Sequence, residues 1–358
     1  MSYHGTVAEV LAAQGVSRRG FLKFCTATAS LMALPPTMVP RIAAALESAR
    51  RPSVIWLPFQ ECTGCTESLT RSHAPTLESM IFETVSLDYQ HTIMAAAGER
   101  AEDARRTAMK ENYGKYLLAV DGSIPTKDHA YSCTAGESNY DIFIDAAKGA
   151  AAIIAVGTCA SFGGIPAALP NPTGAQSARA VLETAGIDKP LICISGCPPI
   201  PTAITGVLAQ YLTFGELPEL DHLGRPKAFF GQSIHDRCYR RPFYERGQFA
   251  ETFDDEGAKK GWCLYKLGCK GPVTYNACAV VKWNQGTGFP IEGGHGCVGC
   301  AEPGFWDWGG FYRPLSQGEW GGWKTLGTAA VAGAAVGLAS VALTRARQAK
   351  AREGGQRS

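Results

Sequence analysis

Glu61-Cys62-Thr63-Gly64-Cys65-Thr66-Glu67 follows the apolar run Ser53-Val54-Ile55-Trp56-Leu57-Pro58-Phe59. A short apolar run bounded by turn residues reads as a buried strand. Two thiols three positions apart, on a loop at the carboxyl end of that strand, form half of a metal site. The other half must come from elsewhere in the chain.

Working outward, apolar runs alternate with helical stretches from about Ser53 to Gln210. Tyr116–Val120, Ala152–Val156 and Leu191–Ile194 are further short strands, and Met80–Leu87 reads as another. Helices are expected over Glu99–Asn112, Ile142–Lys148, Gly174–Thr184 and Thr202–Leu212. This alternation predicts an α/β fold, a parallel sheet with helices on both faces. Ligands of such sheets bind outside the carboxyl ends of the strands. Those ends carry Cys62 and Cys65, then Asp121-Gly122-Ser123-Ile124-Pro125, then Gly157-Thr158-Cys159-Ala160, then Ser195-Gly196-Cys197-Pro198-Pro199. Four cysteines therefore reach one sheet edge from three loops. The glycines leave backbone amides free to approach sulfur.

After Leu212 periodicity fades, and glycine, proline and aromatic residues dominate. So long an irregular stretch needs something other than an apolar core to hold it. Candidate ligands are dense there: His235 and Cys238, Cys263, Cys269, Cys278, Cys297 and Cys300.

The whole chain has 358 residues, enough for two domains, with a net charge of +2 and 18% charged residues. That balance argues against a nucleic-acid surface, which needs a clustered basic excess. No P-loop, dinucleotide fingerprint or internal repeat is present. Thirteen cysteines are many for this length. They leave disulfides, zinc and iron–sulfur clusters open.

Both ends carry membrane signals. Ser17-Arg18-Arg19-Gly20-Phe21-Leu22-Lys23, followed by an apolar stretch to Val39, resembles a twin-arginine export signal. Ala43-Ala44-Ala45 offers a cleavage site, so residues 1–45 are expected to stand outside the mature fold. Residues 325–344 are uncharged and match the ~20 residues needed to span a bilayer. Trp320 and Trp323 precede them, and Arg345, Arg347, Lys350 and Arg352 follow. A transmembrane helix with a cytoplasmic tail is expected, leaving the bulk of the chain on the periplasmic side.

Zinc ribbons bring two close cysteine pairs, whereas these cysteines lie on widely separated loops. Export of folded chains suits cofactors loaded in the cytoplasm. Iron–sulfur clusters are therefore favoured over zinc and over the disulfides of exported proteins.

Six motifs then stand in a familiar order. They are Glu61 to Glu67; Gly157-Thr158-Cys159-Ala160-Ser161-Phe162-Gly163-Gly164; Gly196-Cys197-Pro198-Pro199; Ser233-Ile234-His235-Asp236-Arg237-Cys238; Gly261-Trp262-Cys263 through Cys269-Lys270-Gly271-Pro272; and Gly294-His295-Gly296-Cys297-Val298-Gly299-Cys300-Ala301-Glu302-Pro303. With its export signal and tail, the chain resembles the small, electron-transferring subunit of membrane-bound [NiFe] uptake hydrogenases over nearly its whole length. The resemblance implies a proximal [4Fe–4S] cluster on Cys62, Cys65, Cys159 and Cys197. It implies a distal [4Fe–4S] cluster on His235, Cys238, Cys263 and Cys269. It implies a medial [3Fe–4S] cluster on Cys278, Cys297 and Cys300, with Pro290 where a fourth ligand would stand. The nickel–iron centre would lie in a partner large subunit, and no residue of this chain would be catalytic. Electrons would pass to a membrane acceptor, such as a cytochrome b or another quinone-reactive protein.

Oxygen-tolerant members carry two extra cysteines by the proximal cluster; here those positions are Gly64 and Gly164, which implies an ordinary four-cysteine cubane. Glu61 has two readings, a solvated carboxylate or a group that tunes the proximal cluster or moves protons there. His73, His129, His222 and His295 read as structural, and Cys193 as core packing. The implied layout is a signal peptide over 1–45, a flavodoxin-like domain over 46–212, an irregular cluster-stapled iron–sulfur domain over 213–318, a transmembrane anchor over 319–344 and a basic tail over 345–358. Two other readings are a protein like the quinone-proximal cluster subunit of respiratory complex I, and an exported zinc- or disulfide-stapled module.

Overall fold

The computed structural model describes residues 17–31, 35–48, 51–73, 75–81, 85–307 and 311–315. In chain order the main elements are α1 (Arg18–Leu31), α2 (Val39–Ser48), β1 (Ser53–Pro58), α3 (Gly64–Thr70), β2 (Ser86–Gln90), α4 (Glu99–Glu111), β3 (Leu117–Asp121), α5 (Asn139–Gly149), β4 (Ala152–Val156), α6 (Gly157–Phe162), α7 (Ala178–Thr184), β5 (Leu191–Ile194) and α8 (Pro201–Phe214). The second strand begins later than the apolar pattern suggests, at Ser86 rather than Met80. A short helix, Leu77–Ser79, capped by the Thr76 hydroxyl, precedes that run, and the helical turn continues through Met80 and Ile81.

The five strands pair in the order β2-β1-β3-β4-β5, all parallel. This is the flavodoxin-like order, with its switch point between β1 and β3. Each central strand is buried on both sides, and alternate residues serve opposite faces. Ile55, Leu57, Leu118, Val120, Ile153 and Ala155 pack on one face against Ala101, Ala108, Phe143, Ala146, Val181 and Leu182 of α4, α5 and α7. Val54, Trp56, Leu117, Ala119, Ile154, Val156, Ile192 and Ile194 pack on the other against Leu69, Ala203, Ile204, Val207 and Leu208 of α3 and α8. Each fully buried Ile or Leu contributes roughly 1.5–3 kcal/mol relative to exposure.

Register sets where the loops emerge. Pro58 pairs with Asp121, Asp121 with Val156, and Val156 with Ile194. Four strand ends therefore lie level, and the cysteine loops leave the sheet from a common edge.

Beyond α8 the described elements are turns and helices of three to five residues. A small apolar cluster holds this region: Ile200, Ile234, Ala250, Leu264, Phe289 and Ile291 pack with Cys269, Cys278 and Cys297. Three candidate ligands thus belong to the core itself.

The segment expected to stand outside the fold includes an ordered helix. Phe21, Cys25 and Ala29, spaced four apart on one face of α1, are buried with Ile42 and Ala43 of α2, and Phe214 of α8 packs against them. Residues 1–314 form one unit and 315–358 another, of which Leu315 alone is described.

The expectation of a C-terminal transmembrane helix in this fold is corrected. Among the described residues no helix is long and apolar enough to cross a membrane. The longest, α1 and α8, have 14 residues, short of the ~20 that a bilayer requires. Residues 325–344, on which the expectation fell, lie outside the described residues.

Candidate iron–sulfur centres

The twelve cysteines from Cys62 to Cys300 are all free thiols. The disulfide reading has no counterpart among them. Among the described residues no three His, Cys, Asp or Glu side chains are placed to hold a single metal ion. A cluster, with iron and sulfide between its ligands, holds thiolates farther apart than a single metal ion does.

At the sheet edge, Thr63 turns the chain into α3 with φ +65°, in the left-handed region. The turn leaves Cys62 exposed and Cys65 buried. Gly157 opens α6 with φ +85°, and a Cβ there would lie 2.5 Å from Cys65 Sγ. A Cβ on Gly164 would lie 2.6 Å from Cys159 Sγ, and one on Gly64 3.1 Å from Cys62 Sγ. Backbone without side chains therefore lines this group of thiols. Ionisation of any one thiol is felt by the others: Cys65 by Cys159 and Cys197, Cys159 by Cys62, and Cys197 by Cys159 and Cys62. Burial is the main reason that Cys159 is pushed up to about 11 and Cys197 to about 12. Neutral thiols of this kind gather negative charge only when a cation compensates it.

Asp121, at the tip of β3, is wholly buried beside Cys65. Burial, more than Glu61, pushes it up to about 7, against the Cys65 thiol and the Gly122 amide, which favour its charge. Neither carboxylate oxygen of Asp121 makes a well-formed hydrogen bond, and neither does Glu61 Oε2. The other Glu61 oxygen accepts from the Thr63 hydroxyl at 3.2 Å. Burial raises Glu61 as well. Both carboxyl groups act on the Cys159 thiol, so these unmatched oxygens lie beside the thiol group, which fits a group that is held there.

A second group lines one cavity: His235, Cys238, Cys263 and Cys269, closed by Leu264, Gly271 and Ile291. His235 lies on the short turn His235–Arg237 and packs edge-on against Tyr244, 4.7 Å between ring centres. Burial first, and Arg241 second, lower its proton affinity. The imidazole is therefore neutral at neutral pH, the form that ligates metals. Asp236 and Arg237 beside it are exposed, so this centre sits near the surface. Cys269 Sγ accepts from the Gly271 amide at 3.4 Å and from the Cys297 amide at 3.3 Å.

Between the two lie Cys278, Cys297 and Cys300. Cys278 and Cys297 are buried. Burial, reinforced by Cys300, pushes Cys278 up to about 12. Cys297 Sγ accepts from the Gly299 amide at 3.4 Å. Pro290 lies on the turn between the buried Phe289 and Ile291, which share a cluster with Cys278 and Cys297. It offers no thiolate. Amide-to-sulfur bonds of this sort stabilise thiolate ligands and tune what they hold.

Cys193 is buried in the core, and Cys133 is exposed. His295 bonds the Gly296 carbonyl at 2.7 Å, and His129 stacks on Tyr140. Asp121, Thr158 and Arg225 were not assigned roles from sequence. For Asp121 a signal existed: an acid ending an otherwise apolar strand. For Arg225, buried beside Asp221 and Glu302, none did.

The family profile "NADH ubiquinone oxidoreductase, 20 Kd subunit" matches residues 62–211. The profile of the C-terminal region of NiFe/NiFeSe hydrogenase small subunits matches residues 230–312. The uptake hydrogenase small subunit of Azotobacter vinelandii is 50% identical over 317 residues, 88% of this chain and 87% of that one. The chain belongs to the small subunits of NiFe hydrogenases. The small chain of hydrogenase-1 from Escherichia coli K12 is 46% identical over 96% of this chain and 93% of its own length. The reduced, active NiFeSe hydrogenase of Desulfomicrobium baculatum superposes with a TM-score of 0.70 at 36% identity, covering 74% of this chain and 100% of that one. As a NiFe hydrogenase small subunit, the protein is an iron–sulfur oxidoreductase component that works as a heterodimer with a separate catalytic large subunit. The match over residues 62–211 accounts for the likeness to the complex I protein. The hydrogenase match over 230–312, where six of the candidate cysteines lie, separates the two.

Proposed function

We propose that this chain carries electrons from hydrogen oxidation in the large subunit through three iron–sulfur centres to a membrane, quinone-linked acceptor. Cys62, Cys65, Cys159 and Cys197 would hold the proximal [4Fe–4S] cluster. Cys278, Cys297 and Cys300 would hold a medial [3Fe–4S] cluster. His235, Cys238, Cys263 and Cys269 would hold the distal [4Fe–4S] cluster. When bound, such clusters supply one-electron carriers whose potentials depend on type, burial and hydrogen bonds to sulfur.

The observation that carries this reading is the meeting of the three ligand groups. The Thr158 hydroxyl, next to Cys159, bonds both the Gly196 amide beside Cys197 and the Cys300 carbonyl, and the Cys297 amide bonds Cys269 Sγ at 3.3 Å. A loop of each site is thus bonded to a loop of the next. The protein's part is to hold these loops, to exclude water from Cys65, Cys278 and Cys297, and to expose the edge at His235. Gly64 and Gly164 support an ordinary proximal cubane. Glu61 would hold a proton at the proximal edge; native turnover in Glu61→Gln would remove that role. The names of the relatives support the uptake direction. The export-signal resemblance of residues 17–23 supports a periplasmic position, and with it an acceptor such as a cytochrome b.

Anaerobic purification of the heterodimer from the exported cell fraction tests the reading. Iron, acid-labile sulfide and a paramagnetic [3Fe–4S] signal in the oxidised state are expected. His235→Ala should lose one cluster's iron and His235→Cys should keep it. A colourless protein containing zinc and no sulfide would reject the proposal. Two successive one-electron oxidations at the proximal cluster would reject the ordinary cubane.

A further inference from the structure

Thr158 lies between two of these ligand groups and is 1% exposed. Its backbone amide donates to the Gly196 carbonyl at 2.9 Å. Its hydroxyl accepts from the Gly196 amide at 2.9 Å and donates to the carbonyl of Cys300, 142 residues away in the chain. Thr158 is therefore bonded on one side to the loop that carries Cys197 and on the other to the loop that carries Cys300. It also precedes Cys159 directly. A buried hydroxyl with both its donor and its acceptor function used has one orientation. Nothing about holding Cys159 requires the second bond. Its effect is to hold the Cys300 loop against the Gly196-Cys197 turn.

We propose that Thr158 is the positioning residue for electron transfer between the proximal and medial sites. Its hydroxyl clamps the two ligand loops together, so that Cys197 and Cys300 keep a fixed separation. The step is a single electron leaving the proximal site and entering the medial one, with no bond made or broken and no proton transferred. The inference rests on the ligand assignment above.

The test uses the complete heterodimer with Thr158→Val, which keeps shape and removes the hydroxyl, and Thr158→Ser, which restores it. Iron content and the paramagnetic signals of the oxidised protein are recorded first. Reduction of the medial centre after rapid mixing with hydrogen is then followed by freeze-quench paramagnetic resonance. Fully loaded Thr158→Val is expected to reduce its medial centre several-fold more slowly while its proximal centre keeps the native rate. Thr158→Ser is expected to return to the native rate. A residue that merely stabilised the fold would lower the melting temperature and leave that rate ratio alone. A loaded Thr158→Val with native medial kinetics overturns the proposal. So does a Thr158→Ser that is as slow as Thr158→Val. If Thr158→Val does not load its clusters, Thr158→Ser decides: a native rate supports the clamp, a slowed one overturns it. Absence of iron–sulfur signals from the native protein would instead defeat the ligand assignment.

Discussion

Arg225 Nη1 donates to Glu302 Oε1 at 2.9 Å, joining two residues 77 apart in sequence and both buried. The same guanidinium donates through Nε to Asp221 at 2.8 Å and lies over the ring of Phe230. Glu302 Oε1 in turn accepts from the Tyr275 amide at 2.7 Å. The Gly224 carbonyl, beside Arg225, accepts from the Cys193 amide in β5. The pair thus ties the loop after Cys300 to the parallel sheet.

Arg225→Met should therefore destabilise the protein by about 3–5 kcal/mol, because it leaves Glu302 buried without its cation. Adding Glu302→Gln should recover part of the loss, since the amide oxygen still accepts from Tyr275 and only Asp221, which keeps its bonds to the Leu223 and Arg225 amides, is left without the cation. Urea unfolding of the two variants checks this. Equal midpoints for the single and double variant would show that the charge is not what matters.

Asp121 makes stability depend on pH. Its folded-state pKa is pushed up to about 7 by burial, above the ordinary aspartate value of about 3.9. Below about pH 4 folded and unfolded chains both hold the proton. Between there and about pH 7 only the folded chain does. Stability from this group is therefore full at low pH and falls as pH rises, by at most about 1.4 kcal/mol per unit, until the loss is complete above the folded pKa. Asp121→Asn, neutral at every pH, should remove that slope. Denaturation midpoints of the iron-free protein between pH 5.5 and 8 measure it; parallel curves for the two proteins would contradict the assignment.

Gly157→Ala should strip the cluster proposed on Cys65. The residue needs φ +85°, which costs a non-glycine of order 1–3 kcal/mol, and its Cβ would meet Cys65 Sγ at 2.5 Å. Gly136 separates the two effects. It has φ +83° with nothing within 4 Å of the added Cβ. Gly136→Ala should cost stability and keep its iron, whereas Gly157→Ala should lose the iron of one cluster. Iron analysis of both variants decides, and full loading of Gly157→Ala would show that the loop can give way.

Much of the candidate site was legible because its residues are chemically rare and locally spaced. Cys62 and Cys65 lie three apart after a strand, and the Cys159 and Cys197 loops end apolar runs of the same kind. The parallel sheet followed from the alternation of those runs with helices. The strand at Ser86 was displaced because the apolar residues before it belong partly to a short helix. Helix α1 was not expected in the fold, since an export-signal pattern says nothing of what its apolar face packs on. The C-terminal membrane helix expected from an uncharged stretch is not among the described helices.

By itself the sequence determined the candidate cysteines and histidine, their order along the chain and the α/β sheet whose edge collects four of those cysteines, because each rests on local spacing and periodicity. Tertiary structure alone decided that Pro58, Asp121, Val156 and Ile194 end level. It also decided that Thr158 bridges Gly196 and Cys300, and that Arg225 lies against Glu302. These are contacts between residues far apart in the chain, set by strand register and by burial of charge. No local pattern encodes them.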